Sequence, residues 1–339
     1  MIKRVFFRAD ASSKLGLGHL TRCLALASML KESFDCSFIL HESSEVGFVL
    51  VSQNNYKSIG ISQNDLLKEA AAVASIVGEG DIIVFDGYQF SEEYLRLVKI
   101  SGVSVVCIDD FLKFFPSADV IINHAVGLLE RVTNGLENTK LCLGERFAIL
   151  RPAFIKKAKK EREILKVENV FVCFGGADYF NVTLKVLKAL CGVSAPIHVH
   201  LVLASTFPFK QEVISFLDEV SLNVTVYHNI GEEEMAEVMS SCEIAVAPTS
   251  GLSYEICAVG MGYLGGYFID NQINIYDGFL SKGCLVGVGD FNTISELEFQ
   301  RLFSDLVTNI SKVREVVSQQ KKLVDGQSDA NILKIFLLL

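Results

Sequence analysis

The fold is decided by the stretch VFFRADASSKLGLGHLTRCLALASMLKESFDCSFIL (residues 5–40). Its two apolar ends, VFFR and CSFIL, have the composition of buried strands. Between them, residues from about Leu20 to Lys31 have the periodicity of an amphipathic helix, and a glycine-containing turn separates the first strand from that helix. A strand, a helix and a second strand in this order form a right-handed crossover, which predicts a parallel sheet covered by helices.

The same alternation of strands and helices continues along the chain. Apolar runs such as DIIVFDG (81–87) and VSVVCIDD (103–110) alternate with helical patterns in the first half. The strand-like run LCLGERFAIL ends before Pro152, which we interpret as a helix breaker, and the charged stretch KKAKKEREILK (156–166) favours a solvated linker or helix. The alternation starts again at NVFVCFGG (169–176).

These patterns predict an α/β protein with two Rossmann-like, doubly wound parallel-sheet domains, residues 1–152 and 153–339. Open sheets of this kind bind ligands outside the carboxyl ends of their strands. We therefore expect a ligand in a cleft between the two domains.

Composition excludes several classes of protein. The 339 residues carry a formal net charge of −9, which provides no basic face for nucleic acid. The nine cysteines are scattered without a CxxC pair, so we interpret them as reduced and structural. The start of the chain lacks the pattern of a secretion signal, and no apolar run reaches the ~18 to 20 residues of a membrane span. We expect a cytoplasmic enzyme.

The turn before the first helix has the composition of a ligand site. Gly16 and Gly18 allow the backbone to approach a ligand closely, and a helix N-terminus attracts an anion or a sugar oxygen. His19 lies in the first helical turn, where the dipole disfavours an imidazolium, so a neutral ring can accept a proton from water. The alternative is a histidine that merely caps the helix. Thr21 replaces the last glycine of a dinucleotide fingerprint, which argues against NAD.

Other polar residues follow the strands of the first domain. Arg22 lies one turn after His19, and it either contacts the ligand or pairs with Asp10. The ends of two later strands supply Asp86, Tyr88, Asp109 and Asp110. Tyr88 suits a sugar hydroxyl, whereas the last two aspartates suit either the lining of a pocket or the capping of a helix.

Two loops of the second domain suit an anion. In CFGGADYFN (173–181), two glycines between a strand and a helix allow a phosphate to approach, while Asp178 or Asn181 provides an N-cap. In APTSGLSYE (247–255), hydroxyl and helix N–H groups suit a diphosphate, and Glu255 suits a ribose diol. Ordinary capping by Ser253 with Glu255 is the alternative.

Four motifs in order resemble one family. GLGHLTR, FGGAD, PTSGLSYE and DNQ are similar to the PseG-type UDP-sugar hydrolases of pseudaminic acid biosynthesis, and the resemblance covers about residues 3 to 290. That family removes UDP from UDP-2,4-diacetamido-2,4,6-trideoxy-β-L-altropyranose and is related to MurG-like glycosyltransferases. The resemblance therefore implies a GT-B-like fold.

The resemblance also implies a role for each matching position. His19 would activate water for inverting attack at C1 of the sugar, with Tyr88 and Asn271 in the same active site. The substrate-binding candidates are Asp10, Gly16, Gly18, Arg22, Gly175, Gly176, Ile230, Ser250, Gly251, Leu252, Ser253, Glu255 and Gln272. Fixed dipoles would stabilise the departing UDP, so we expect no metal and no cofactor. The expected partner is a UDP-sugar, bound by a monomer or weak dimer.

Two departures from the family pattern remain. Ala177 stands where the family has Ser or Thr, which removes one hydroxyl. The tail after residue 290 ends in ILKIFLLL, and by analogy with GT-B relatives we expect its last helix to cross back to the first domain. Three other functions stay open: an inverting glycosyltransferase, a UDP-sugar 2-epimerase and a non-catalytic UDP-sugar binding protein.

Overall fold

A computed structural model of the protein describes residues 2–11, 17–111, 113, 115–127, 138–176 and 178–339. The chain divides into two compact units. Unit 1 comprises Met1–Pro152 and Ser328–Leu339, and unit 2 comprises Ala153–Gln327. Unit 1 contains residues that precede unit 2 in the sequence and residues that follow it. The chain therefore leaves unit 1 once and returns to it at Ser328.

Unit 1 is built on a parallel sheet. Its strands are β1 (Arg4–Arg8), β2 (Asp35–His41), β3 (Lys57–Ile61), β4 (Ile82–Asp86), β5 (Ser104–Ile108), β6 (Val120–Asn123) and β7 (Lys140–Leu143). Their order is β3-β2-β1-β4-β5-β6-β7, and every described neighbouring pair is parallel. The helices between them are α1 (Gly18–Leu30), α2 (Glu45–Gln53), α3 (Leu66–Ile76) and α4 (Glu92–Lys99).

Unit 2 repeats this topology. Its helices are α5 (Pro152–Ala158), α6 (Val182–Cys191), α7 (Lys210–Glu219), α8 (Glu232–Ser241), α9 (Gly251–Val259), α10 (Ile273–Ser281), α11 (Glu296–Thr308) and α12 (Ile310–Leu323). Its strands are β8 (Asn169–Val172), β9 (His198–Leu203), β10 (Val224–His228), β11 (Ile244–Pro248), β12 (Gly262–Tyr267) and β13 (Val286–Asp290). The sheet order is β10-β9-β8-β11-β12-β13, again with parallel neighbours.

The sheet of unit 1 is covered on both faces because its central strands are apolar on both faces. In β1, Phe6 belongs to one buried cluster, whereas Phe7 belongs to a second cluster. Successive side chains of a strand point to opposite faces, so each residue serves a different layer of helices.

Three details differ from the predictions. β3 was not predicted, because its sequence KSIGI is largely exposed and carries little apolar signal. The run LCLGERFAIL is a strand only in β7; Gly144 adopts φ +92 and residues 145–147 form a 3₁₀ turn. Pro152 does not break a helix but begins α5, since the first residue of a helix needs no N–H donor.

The last helix, α13 (Ser328–Phe336), belongs to unit 1. Its Ile332, Ile335 and Phe336 are buried in the cluster that also contains Phe7. The Phe336 ring lies 6.2 Å from the ring of Phe34. Within the described ranges, no helix is both long enough and apolar enough to cross a bilayer.

Replacement of Phe336 by alanine tests the contribution of α13. Loss of this fully buried ring is expected to lower the free energy of unfolding of unit 1 by about 3 to 4 kcal/mol. Hydrogen exchange resolved by peptide would detect faster opening of unit 1 strands with unit 2 unchanged. The matched control is Leu338→Ala, because Leu338 is 75% exposed. Equal protection of unit 1 in both variants would contradict the role assigned to α13.

Candidate active site

The centre of the site is the carboxylate of Asp86, which is fully buried at the end of β4. Two side chains of α1 bind it. His19 Nδ1 lies 2.7 Å from Asp86 Oδ1. Arg22 donates from Nε to Oδ2 and from Nη2 to Oδ1, both at 2.7 Å. His19 and Arg22 are three residues apart on one helical face, so both reach the same carboxylate.

Arg22 also binds a second carboxylate. Its Nη1 donates to Asp110 Oδ1 at 2.7 Å, and its Nη2 donates to Asp110 Oδ2 at 3.0 Å. The hydroxyl of Tyr88 donates to the same Asp110 Oδ2 at 3.2 Å. One guanidinium therefore links the ends of β4 and β5 and indirectly positions Tyr88.

The alternative pairing of Arg22 with Asp10 is wrong. Asp10 Oδ2 instead lies 2.7 Å from Arg8 Nη1, and Asp10 Oδ1 accepts from the backbone N–H of His41 at 2.9 Å. Arg8 is buried and also pairs with Glu69, at 3.0 Å. Asp10 therefore ties β1 to β2 and neutralises a buried arginine, with one oxygen in a hydrogen bond and the other in an ion pair.

These contacts determine the charges around His19. Burial alone would raise the pKa of Asp86, but Arg22 and the His19 hydrogen bond hold it below its ordinary value. Burial opposes the charge of Asp110 in the same way, and Arg22 again lowers its pKa. Both carboxylates are therefore ionised at neutral pH, with one arginine between them.

The ionised Asp86 orients the His19 ring. A carboxylate can only accept hydrogen bonds, so Nδ1 of His19 is the donor and Nε2 of the neutral ring is left as the acceptor. The ring also packs edge-on against Tyr88, with centroids 4.6 Å apart. His19 does not cap α1: the N-cap residue is Leu17, and the His19 side chain bonds to Asp86.

A second histidine lies buried in this cluster. His124 follows β6, and burial lowers its pKa to about 4, with the charge of Arg22 acting in the same direction. Neither its role nor that of Asp86 was predicted from the sequence. The only signal available was their position directly at or after a strand end.

The remaining candidates in unit 1 are Gly16, Gly18 and Asp109. Gly18 begins α1, is exposed, and has open space where a Cβ would lie. Gly16 lies outside the described residues. Asp109 Oδ1 accepts from the backbone N–H of Phe111 at 3.1 Å, so Asp109 stabilises the turn after β5 instead of capping a helix.

In unit 2, the start of α6 is already occupied by a carboxylate. Asp178 is fully buried and accepts from the N–H groups of Val182 and Thr183, both at 2.8 Å. The N-cap residue is Asn181, whose Oδ1 accepts from Leu184 N. Both capping candidates therefore act together, and the α6 N–H groups they bind are not available to a phosphate.

The glycines that precede α6 are required by the backbone. Gly175 adopts φ +77, which favours glycine. At Gly176, a Cβ would lie 2.1 Å from Thr206 Oγ1, so a side chain there would require the Thr206 hydroxyl to move. Ala177, the departure from the family pattern, lies outside the described residues.

The start of α9 has a reciprocal cap. The Ser250 hydroxyl accepts from Leu252 N at 3.3 Å, while the Ser253 hydroxyl accepts from Ser250 N at 3.0 Å. Ser253 therefore pairs with Ser250 in the capping box, so the alternative of a cap formed by Ser253 with Glu255 is wrong. Ser253 is fully buried and also bonds Tyr263, at 2.9 Å. Ser250, Gly251 and Leu252 leave surface for a ligand at this turn, whereas Ser253 does not.

The other candidates in unit 2 lie shortly after the ends of β10, β11 and β12 in the sequence. Gln272 is buried, and its Oε1 accepts from Phe268 N at 2.9 Å, so its side chain shapes the turn after β12. Asn271 precedes it and is half-buried. Ile230 is half-buried after β10, and Glu255 is buried inside α9. All these positions lie at or beyond the carboxyl ends of unit 2 strands.

Comparison of the sequence with known proteins identifies three relatives. An uncharacterised protein of Methanocaldococcus jannaschii is 27% identical over 288 residues, 80% of this chain, which spans only 57% of that protein's length. The UDP-2,4-diacetamido-2,4,6-trideoxy-beta-L-altropyranose hydrolase of Campylobacter jejuni is 25% identical over 83% of this chain and 97% of its own length. The spore coat polysaccharide biosynthesis protein SpsG of Bacillus subtilis is 22% identical over 96% of both chains. No family model matches.

Solved structures share the fold. MurG of Acinetobacter baumannii has a TM-score of 0.69 at 13% identity and covers 99% of this chain and all of its own. A putative UDP-N-acetylglucosamine 2-epimerase of Listeria monocytogenes has a TM-score of 0.62 at 12% identity, covering 98% and 95% of the two chains. The predicted GT-B-like fold is confirmed, and so is the resemblance to the UDP-sugar hydrolase sequence.

The buried His124 predicts a pH dependence of stability. Its ordinary pKa is about 6.5 when unfolded, so the unfolded chain binds the proton more tightly and acid favours unfolding. Unit 1 is expected to lose about 3 kcal/mol between pH 6.5 and 4 for this reason. Asp86 and Asp110, whose pKa values are lowered, add a further loss below about pH 4.

Hydrogen exchange of unit 1 strands across this pH range measures the effect. His124→Gln is expected to flatten the dependence above pH 4, whatever its effect on absolute stability. His41→Gln is the control, because the ring of this half-buried histidine bonds only Ser43 in the described contacts. An unchanged slope in His124→Gln would show that another group titrates.

Proposed function

We propose that the protein hydrolyses a UDP-activated 2,4-diacetamido-2,4,6-trideoxy sugar to free sugar and UDP, in pseudaminic acid biosynthesis. The C. jejuni relative carries the name of such a hydrolase and aligns over nearly its full length. The chemistry is assigned to unit 1 and the recognition of UDP to unit 2.

The hydrogen bond between His19 and Asp86 is the observation that carries this proposal. The carboxylate holds Nδ1, so Nε2 is directed away from Asp86 as a proton acceptor. Water that gives its proton to Nε2 attacks C1 of the sugar as the bond from C1 to the UDP oxygen breaks. As the proton arrives, the negative Asp86 stabilises the imidazolium that forms. The product is the inverted free sugar.

The start of α9 is the best candidate in unit 2 for the diphosphate. Its N-terminal dipole favours negative charge, and Gly251 is exposed there beside the half-buried Ser250. The start of α6 is less suited, since Asp178 already takes two of its N–H groups. Gly175, where a Cβ would lie in open space, instead allows the loop before α6 to run close to a ligand.

A glycosyltransferase is the second candidate. The MurG fold is shared over almost the whole chain, and the same histidine could deprotonate an acceptor hydroxyl instead of water. Release of free sugar in the absence of any acceptor distinguishes hydrolysis from transfer. An epimerase would instead return a sugar with altered stereochemistry at C2.

Replacement of His19 by glutamine tests the base. With UDP-2,4-diacetamido-2,4,6-trideoxy-β-L-altropyranose and no acceptor, the wild type is expected to release UDP and free sugar. The variant is expected to lose roughly 10²- to 10⁴-fold in kcat, the usual contribution of a general base. The Kd for UDP, measured by calorimetry, should change less than about twofold, because UDP contacts are assigned elsewhere. Retention of kcat would exclude His19 as the base.

A matched control is His198→Gln, since His198 bonds Thr225 at the amino end of β9, away from the predicted ligand side. Its kcat should equal that of the wild type.

Asp86→Asn tests the orientation of the histidine. An amide can donate to Nδ1 and so favour the wrong tautomer, which costs about 10⁴-fold in a serine protease triad; we expect at least about 10²-fold here. Thermal unfolding must be recorded alongside, because Arg22 loses one of its two carboxylates. Normal kcat in a folded Asp86→Asn protein would refute the tautomer argument.

A further inference from the structure

Two exposed aromatic side chains pack on each other, and one of them contacts His19. Tyr88 is 41% exposed and Phe111 is 44% exposed, and their ring centroids are 5.0 Å apart. Tyr88 also contacts the His19 ring at 4.6 Å. The three rings therefore form a continuous aromatic row, which starts at the proposed base and ends at Phe111.

The aromatic row is anchored by polar contacts. The Tyr88 hydroxyl donates to Asp110, and the backbone N–H of Phe111 donates to Asp109. The carbonyl of Asp109 accepts in turn from Asn123 Nδ2 at 2.6 Å, and both of these residues are buried. Aromatic surface that is exposed but held in place next to a reactive group is typical of a ligand contact.

We propose that Phe111 is a specificity-determining residue, which forms with Tyr88 an apolar subsite for a methyl group of a deoxy or N-acetylated sugar. The inference rests on the proposed function, because it assigns the sugar end of the substrate to the surface beside His19. A methyl group against these rings gains the hydrophobic effect. A hydroxymethyl group at the same place would lose a hydrogen bond to water without replacement.

The subsite favours 6-deoxy or acetamido sugars over sugars that present only hydroxyl groups. Its selectivity arises from removal of apolar surface from water, so it acts on the sugar and leaves the affinity for UDP alone unaffected. Loss of the Phe111 ring should therefore weaken the affinity for the sugar nucleotide and leave the affinity for UDP unchanged.

The test compares wild type, Phe111→Ala and Phe111→Tyr with UDP-2,4-diacetamido-2,4,6-trideoxy-β-L-altropyranose. Phe111→Ala is expected to lower kcat/KM about tenfold, the effect of losing one aromatic contact, while the Kd for UDP stays within about twofold. Phe111→Tyr retains the ring and should stay within about threefold of the wild type. Leu297→Ala, which removes a 77% exposed side chain on α11, should leave both constants unchanged. Unaltered kcat/KM in Phe111→Ala would overturn the subsite.

Binding measurements keep this test independent of the proposed reaction. In a His19→Gln background, calorimetry compares the Kd of the intact sugar nucleotide with the Kd of UDP, with and without Phe111→Ala. A sugar contribution that disappears with Phe111→Ala supports the subsite even if the wild type proves not to hydrolyse this compound, an outcome that would refute only the function. No sugar contribution in either protein would refute the subsite itself.

Discussion

The rest of the site depends on one buried charge, the carboxylate of Asp86. A carboxylate withdrawn from water is costly unless it is paired and hydrogen-bonded, and Arg22 meets that need with two donors. Arg22 then requires a second carboxylate, which Asp110 provides, and Asp110 in turn holds the hydroxyl of Tyr88. His19 receives its orientation from the oxygen that these contacts keep ionised. The buried carboxylate thus fixes Arg22, Arg22 fixes Asp110, and Asp110 fixes the Tyr88 hydroxyl.

Most of the fold could be predicted because buried parallel strands are read as short apolar runs. β4, with the sequence IIVFD, is buried at every position and is an example. β3 could not be found in this way, since it lies at the edge of its sheet and exposes most of KSIGI. Pro152 was misread because proline is unfavourable inside a helix but favourable at its first residue, and local sequence does not distinguish these positions.

The site was predictable in its location but not in its pairings. Spacing placed His19 and Arg22 on one helical face, and Asp10 was the structural partner suggested for Arg22, but spacing could not determine that Arg22 pairs with Asp86 instead. That choice follows from the sheet order, in which β4 is the strand next to β1, and from Arg8, which already engages Asp10. The prediction for Ser253 failed for a different reason. Its hydroxyl was interpreted as a ligand contact, although the side chain is buried and caps the start of α9.

The return of α13 to unit 1 has a consequence for folding in the cell. All the strands and helices of unit 2 are contiguous in sequence, so they emerge from the ribosome before α13 does. Unit 2 can therefore fold from one continuous segment, whereas the core of unit 1 is complete only when Phe336 packs beside Phe34. The unit that carries His19 therefore begins before unit 2 in the sequence and is completed after it. Until α13 packs, unit 1 would present apolar surface that chaperones can bind.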